Sequence, residues 1–114
     1  MNYRSQTNTL TALAAAIALS SVALVTHAEE APFCWLQVLD DSTLAFLVIS
    51  PFEVLPGYQP DVGIEDVRFL GIKEPQDAML LNIVTMRGGG RATVNLKAPI
   101  VINRQTLIGK QAVP

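Results

Sequence analysis

The residues able to do chemistry are few, and their spacing does not suit it. The 114-residue chain carries one cysteine, Cys34, and one histidine, His27. Nucleophilic catalysis needs a base within reach of its hydroxyl or thiol, and a zinc site needs three or four Cys, His or carboxylate ligands brought together. His27 lies in a segment that reads as separate from the body, so neither set can be assembled, and a lone cysteine makes no internal disulfide. Cys34 stands in an apolar run beside Trp35, where a thiol behaves as a small hydrophobe with nothing to lower its pKa. Phe33 and Trp35 read as core or interface anchors. The carboxylate pairs Asp40-Asp41 and Glu65-Asp66 are sequence neighbours that point apart, whereas acid–base work needs two carboxyls converging across a cleft. Arg87-Gly88-Gly89-Gly90-Arg91 is followed by a strand pattern and carries no Gly-Lys-Ser/Thr, so it reads as a hairpin tip and not as a phosphate cradle. Gly109-Lys110-Gln111 fails the same test. No catalytic, cofactor-binding or metal-ligating residue emerges, and the chain reads as a non-enzyme.

The charge balance narrows the partners. Eight Lys and Arg against ten Asp and Glu leave a net charge of −2, with the basic residues scattered. Nucleic-acid binding needs them clustered and in excess.

Two unlike segments follow one another. Residues 1–28 hold a single charge, Arg4, and seven of the thirteen alanines. An apolar stretch over Leu10–Val25 ends in the small-residue triplet Thr26-His27-Ala28, the layout of a secretory signal peptide. Ala, Ser and Thr dilute it below the roughly 20 strongly apolar residues of a membrane anchor. The alternative is a non-native N-terminal extension. The domain boundary is expected at 28/29, with residues 29–114 forming the folded body.

That body reads as mainly β. Phe33–Leu39 and Leu44–Ser50 flank the turn chemistry of Asp40-Asp41-Ser42-Thr43, which predicts a hairpin. Every residue of Leu44–Ile49 is hydrophobic, so this strand is covered on both faces or awaits a partner. Pro51, Pro56-Gly57 and Pro60 exclude regular structure from the connection that follows. Ile64, Val67 and Leu70 recur at helical spacing between an expected cap at Asp61 and a stop at Gly71, although Val67–Ile72 also suits a strand. Ala78–Met86 is a strand, Ala92–Leu96 returns antiparallel to it, and Ile100–Ile102 is a short apolar strand. About six strands and one short helix, joined mainly by hairpins, predict a small antiparallel β-barrel-like domain.

Binding residues are sought where apolar side chains sit on stiff loops. Phe52, Val54, Leu55 and Tyr58 occupy a proline-stiffened segment, Ser50–Tyr58, that would lose little entropy on docking; folded back, the same residues would form a lid on the barrel. Asn82, Asn95 and Asn103 interrupt strand patterns. Each serves a bulge or turn through its amide, or makes a polar contact to a partner chain.

Four blocks together resemble the flagellar assembly factor FliW family: APFCWLQVLDD (31–41), AFLVISPFEVLPGYQPDV (45–62), AMLLNIVTM (78–86) and ATVNLKAPIVIN (92–103), with Gly109-Lys110-Gln111 following. The resemblance covers about residues 31–111. It implies a compact antiparallel β-barrel, no enzyme activity and no cofactor, and a cytoplasmic protein whose partners are newly made flagellin and the translational repressor CsrA, between which it switches. Contact roles carry over to Ser50, Phe52, Pro56 and Tyr58 in the loop, and to Asn95, Lys97 and Asn103 in the last block. No direct contact with nucleic acid is implied, and none with a membrane unless the N-terminal segment is functional. The resemblance departs upstream, where the Ala-rich segment replaces the family's N-terminal strands and their Gly-Leu-Pro-Gly-Phe-like motif. That departure predicts a truncated or mis-started chain with N-terminal strands missing. The alternative to the family function is an exported β-rich structural or envelope protein with a cleaved signal peptide.

Overall fold

The computed structural model of the chain describes residues 2–5 and 19–112, with side chains over 19–112. Its eight strands are β1 (Asn2–Ser5), β2 (Ser20–Thr26), β3 (Cys34–Val38), β4 (Ala45–Ile49), β5 (Ala78–Met86), β6 (Arg91–Val94), β7 (Ile100–Asn103) and β8 (Ile108–Gln111). Two short helices, α1 (Pro51–Val54) and α2 (Ile64–Leu70), lie between β4 and β5.

Six strands close a barrel. The order β5-β4-β3-β2-β8-β7 returns to β5 through a β5–β7 pairing, and every pairing around this ring is antiparallel. β5 is long enough to serve two partners in succession. Its residues Ala78–Leu81 pair with β7, and Val84–Met86 pair with β6, which lies outside the ring and carries β1 in parallel on its far edge.

Side-chain alternation explains the core. Val22, Leu36, Val38, Val48, Leu81, Ile83, Ile100 and Ile102 fill the barrel. The opposite faces of the same strands are also covered. Ile49, Val84, Ala92 and Val94 form a second cluster against Phe33, Leu47, Val54 and Leu96, and Leu70, Val101 and Ala112 form a third against Val62, Ile72, Ala78, Leu80 and Ile108. The wholly apolar β4 is thus packed on both faces. Gly109 is required by close approach, since a Cβ there would sit 2.9 Å from Ile102 Cγ1.

The hairpin of β3 and β4 and the strands at 78–86, 91–94 and 100–103 follow the sequence pattern closely. Three details differ. The connection after Ser50 is not wholly irregular, because Pro51 occupies the first position of the one-turn helix α1, where its missing N–H costs nothing. α2 starts from Gly63 and not from Asp61, and it makes no side-chain cap bond. Gly71 does end it, in a left-handed conformation at φ 69° that favours glycine, so Val67–Ile72 is not a strand.

The third difference concerns the N-terminal segment. β2 pairs with β3 from Val22↔Val38 to Thr26↔Cys34, and with β8 at Ser20↔Gly109 and Ser21↔Ile108. Val22 is 1% exposed. The folded unit therefore extends upstream of the boundary expected at 28/29, and part of the Ala-rich segment provides a strand that closes the barrel. Residues 6–18, which hold much of the leader-like stretch, lie outside the described residues. Among the described residues, no helix is long and apolar enough to cross a membrane.

Candidate functional site

The loop leaving β4 is pinned from beneath by a polar network. Tyr58 is buried, and its hydroxyl donates to the Leu96 carbonyl. Asn82 Nδ2 donates to the Asn95 carbonyl at 2.7 Å and lies 3.4 Å from the Tyr58 hydroxyl. Burial pushes the Tyr58 phenol above its ordinary pKa, partly offset by the Asn82 contact, so it is a neutral donor at physiological pH. Loop geometry is completed by Leu55 N–H to Pro51 O and Tyr58 N–H to Leu55 O, while Val54 packs into the second cluster. Phe52 stands on this base, 48% exposed, edge-on to Tyr58 with ring centroids 6.3 Å apart.

Phe52 and Ser50 line a groove of about 760 Å³ bounded by the loop, by α2 and by the start of β5. Its apolar lining comes from Val62, Val67, Ile72, Met79, Leu80 and Val101, and its charged residues are Asp61, Lys73, Glu74 and Arg104. α2 is held beside the groove by three contacts. Its last carbonyl, Leu70 O, accepts from Asn103 Nδ2 at 2.7 Å, the Gly71 turn bonds back to Arg68 and Val67, and Asp66 meets Lys110 of β8 at 2.5 Å.

The seven residues singled out as contacts separate into two groups. Ser50 and Phe52 line the groove; Pro56 and Lys97 are exposed. Tyr58, Asn95 and Asn103 are buried and bonded within the fold. Asn95 Oδ1 accepts from the Lys97 and Ala98 amides, and Asn103 Oδ1 accepts from those of Gln105 and Thr106. These asparagines each satisfy a turn through the amide. The groove's Val62, Val67, Leu80 and Arg104 were not singled out from sequence. Their signal was present in the helical spacing of Val67 and the outward register of Leu80, but nothing local showed that both would face one depression.

The other chemical candidates are structural. Cys34 faces the barrel core, and burial pushes its thiol pKa up. Asp41 is held below its usual range by the Thr43 hydroxyl and amide, a turn contact on the surface. Gly89 and Gly90, at φ 73° and 74°, form the tip between β5 and β6. Trp35 is 40% exposed on the outer face, paired across strands with Val25 and Leu47. The arrangement offers apolar shape and hydrogen-bonding edges to a protein partner.

Comparison with known proteins agrees with this architecture. The family model described as FliW protein matches residues 12–114. The flagellar assembly factor FliW of Geotalea uraniireducens is 42% identical over 91 residues, covering 79% of this chain and 56% of that protein. The FliW of Syntrophus aciditrophicus is 47% identical over 73 residues, covering 63% of this chain and 46% of that protein. A crystal structure of the flagellar assembly factor FliW superposes with a TM-score of 0.73 at 35% identity, covering 82% of this chain and 65% of the other. The chain thus spans about half the length of the curated relatives it matches. The family match begins at residue 12, inside the Ala-rich segment and ahead of the barrel strand β2, so sequence and topology agree that the chain belongs to the FliW family of flagellar assembly factors.

Proposed function

We propose that this chain is a cytoplasmic protein-binding factor of flagellar assembly that captures flagellin and antagonises the translational repressor CsrA by switching between them. Holding CsrA relieves repression of flagellin translation, and surplus flagellin displaces CsrA. The chain works by binding and not by catalysis. What supports this reading most is family membership over residues 12–114. The site adds a physical reason: a half-exposed Phe52 fixed above an apolar groove suits protein capture. A net charge of −2 also favours encounter with a basic RNA-binding protein.

Calorimetry with the purified full chain tests it. Binding to flagellin or CsrA is expected at about micromolar Kd or tighter, with each partner reducing the binding of the other. Phe52→Ala should weaken the partner that uses the groove about tenfold, with the melting curve little changed. A folded sample that binds neither protein overturns the proposal. Fractionation and N-terminal sequencing test the compartment: a mature terminus at Glu29 outside the cytoplasm would support the exported alternative.

A further inference from the structure

The groove runs along an uncovered strand edge. β4 pairs with β5 at Val48↔Ile83 and Ile49↔Asn82 and then ends. In the same register the residue opposite Leu80 is Pro51, which has no N–H to donate and starts α1 instead. The side of β5 facing that gap follows from its hydrogen bonds. The Asp77 carbonyl accepts from Arg104 of the β7 end, and the Ile83 carbonyl accepts from Asn95 of the β6 end. Odd-numbered residues therefore bond towards β7 and β6, and the amide and carbonyl of Leu80 point the other way, into the space β4 vacates. No turn or loop group among the described residues bonds them. Met79 packs against the barrel core while Leu80 packs outside it, yet both line the groove. Side chains of opposite faces meet one depression where it follows the strand's edge.

We propose that this edge binds an extended peptide segment by strand addition, antiparallel to β5 and in line with β4. The segment would exchange main-chain hydrogen bonds with Leu80 and place alternate aliphatic side chains against Val62, Val67 and Ile72. Its direction is set by β4's line: the C-terminal end runs towards Ala78. There Arg104 donates through Nε to the Ala78 carbonyl at 3.2 Å and forms no ion pair among the described residues. Of the acids at this end, Glu74 accepts from Gln76 Nε2 and Asp77 from the Glu74 amide, while Asp61 lines the groove from the loop. Charge complementarity therefore favours an acidic residue at the C-terminal end of the segment.

The test uses the full chain, isotopically labelled, and an acetylated synthetic peptide of alternating Val and Thr ending in Glu-Glu. The largest amide shifts are expected at Leu80 and its β5 neighbours. N-methylating one set of alternate peptide amides should weaken binding at least about tenfold and the other set less than about twofold, because only one set faces β5. Replacing Glu-Glu by Gln-Gln should weaken binding about threefold or more. No binding at about 5 mM peptide, shifts centred elsewhere, or equal loss from both methylated sets each overturns strand addition. Because the peptide is synthetic, the outcome is independent of whether flagellin or CsrA binds.

Discussion

Tyr58 ties the loop after β4 to Asn82 in β5 and to the turn after β6, and Asn82 in turn bonds that turn directly through the Asn95 carbonyl. Tyr58→Phe keeps the ring against Phe52 and removes the hydroxyl, leaving the Leu96 carbonyl without that donor. A loss of about 1–2 kcal/mol is expected, read from the denaturation midpoint. The pH dependence has a definite sign. A phenol whose folded pKa is raised gives its full stabilisation below the unfolded value of about 10 and loses it as the pH rises through the folded value. The wild type should weaken over that alkaline range, and Tyr58→Phe should flatten this part of the profile. At this scale the sequence was readable by chemistry and less so by position. The disruption of strand patterns at Asn95 and Asn103 marked turns correctly, because an amide near freed backbone groups has few other uses. That Tyr58 would be a buried strut and Phe52 its exposed neighbour was not readable, since both are aromatics on the same proline-rich loop and the difference depends on Leu96, 38 residues away.

Among the elements, β2 contributes most beyond what its composition suggests. Ser20, Ser21, Ala23 and Thr26 make up more than half of it, and within Ser20–Thr26 one side chain, Val22, is fully buried. A run so weakly patterned resembles a leader, whereas pairing with two neighbours is what makes it a strand. A chain starting at Glu29 would lack Val22 and bare the edges of both β3 and β8. It should melt without a cooperative transition and bind hydrophobic dyes, while the full chain melts as one unit. A cooperative melt of the shortened chain would show that β2 is dispensable. The strands at 78–86 and 100–103 were legible for the opposite reason: they are long or dense in β-branched residues, and their surroundings agree with their local preference. α2 was legible from Ile64, Val67 and Leu70 and from its glycine stop, while its start was not, because Gly63 caps through its backbone alone.

At the scale of the whole molecule, β5 decides the architecture by changing partners. Its first half completes the ring, its second half leaves with β6, and the short β4 cannot cover the remainder. Periodicity shows a strand but not how many neighbours it will have, which is why the barrel was foreseeable in class and the groove was not.

The pairing Ser20↔Gly109 has a consequence for how the protein is made. Synthesis delivers β2 first among the ring's strands and β8 last, so the ring stays open until β8 has been made. Such a distant closure is slow, and refolding is expected on the millisecond-to-second scale of high-contact-order β proteins, measurable by stopped-flow Trp35 fluorescence. Until then the emerging chain holds a free β2 edge. A message cut short before Ile108 would leave the same edge exposed for good, and its product would be a substrate for chaperones and proteases.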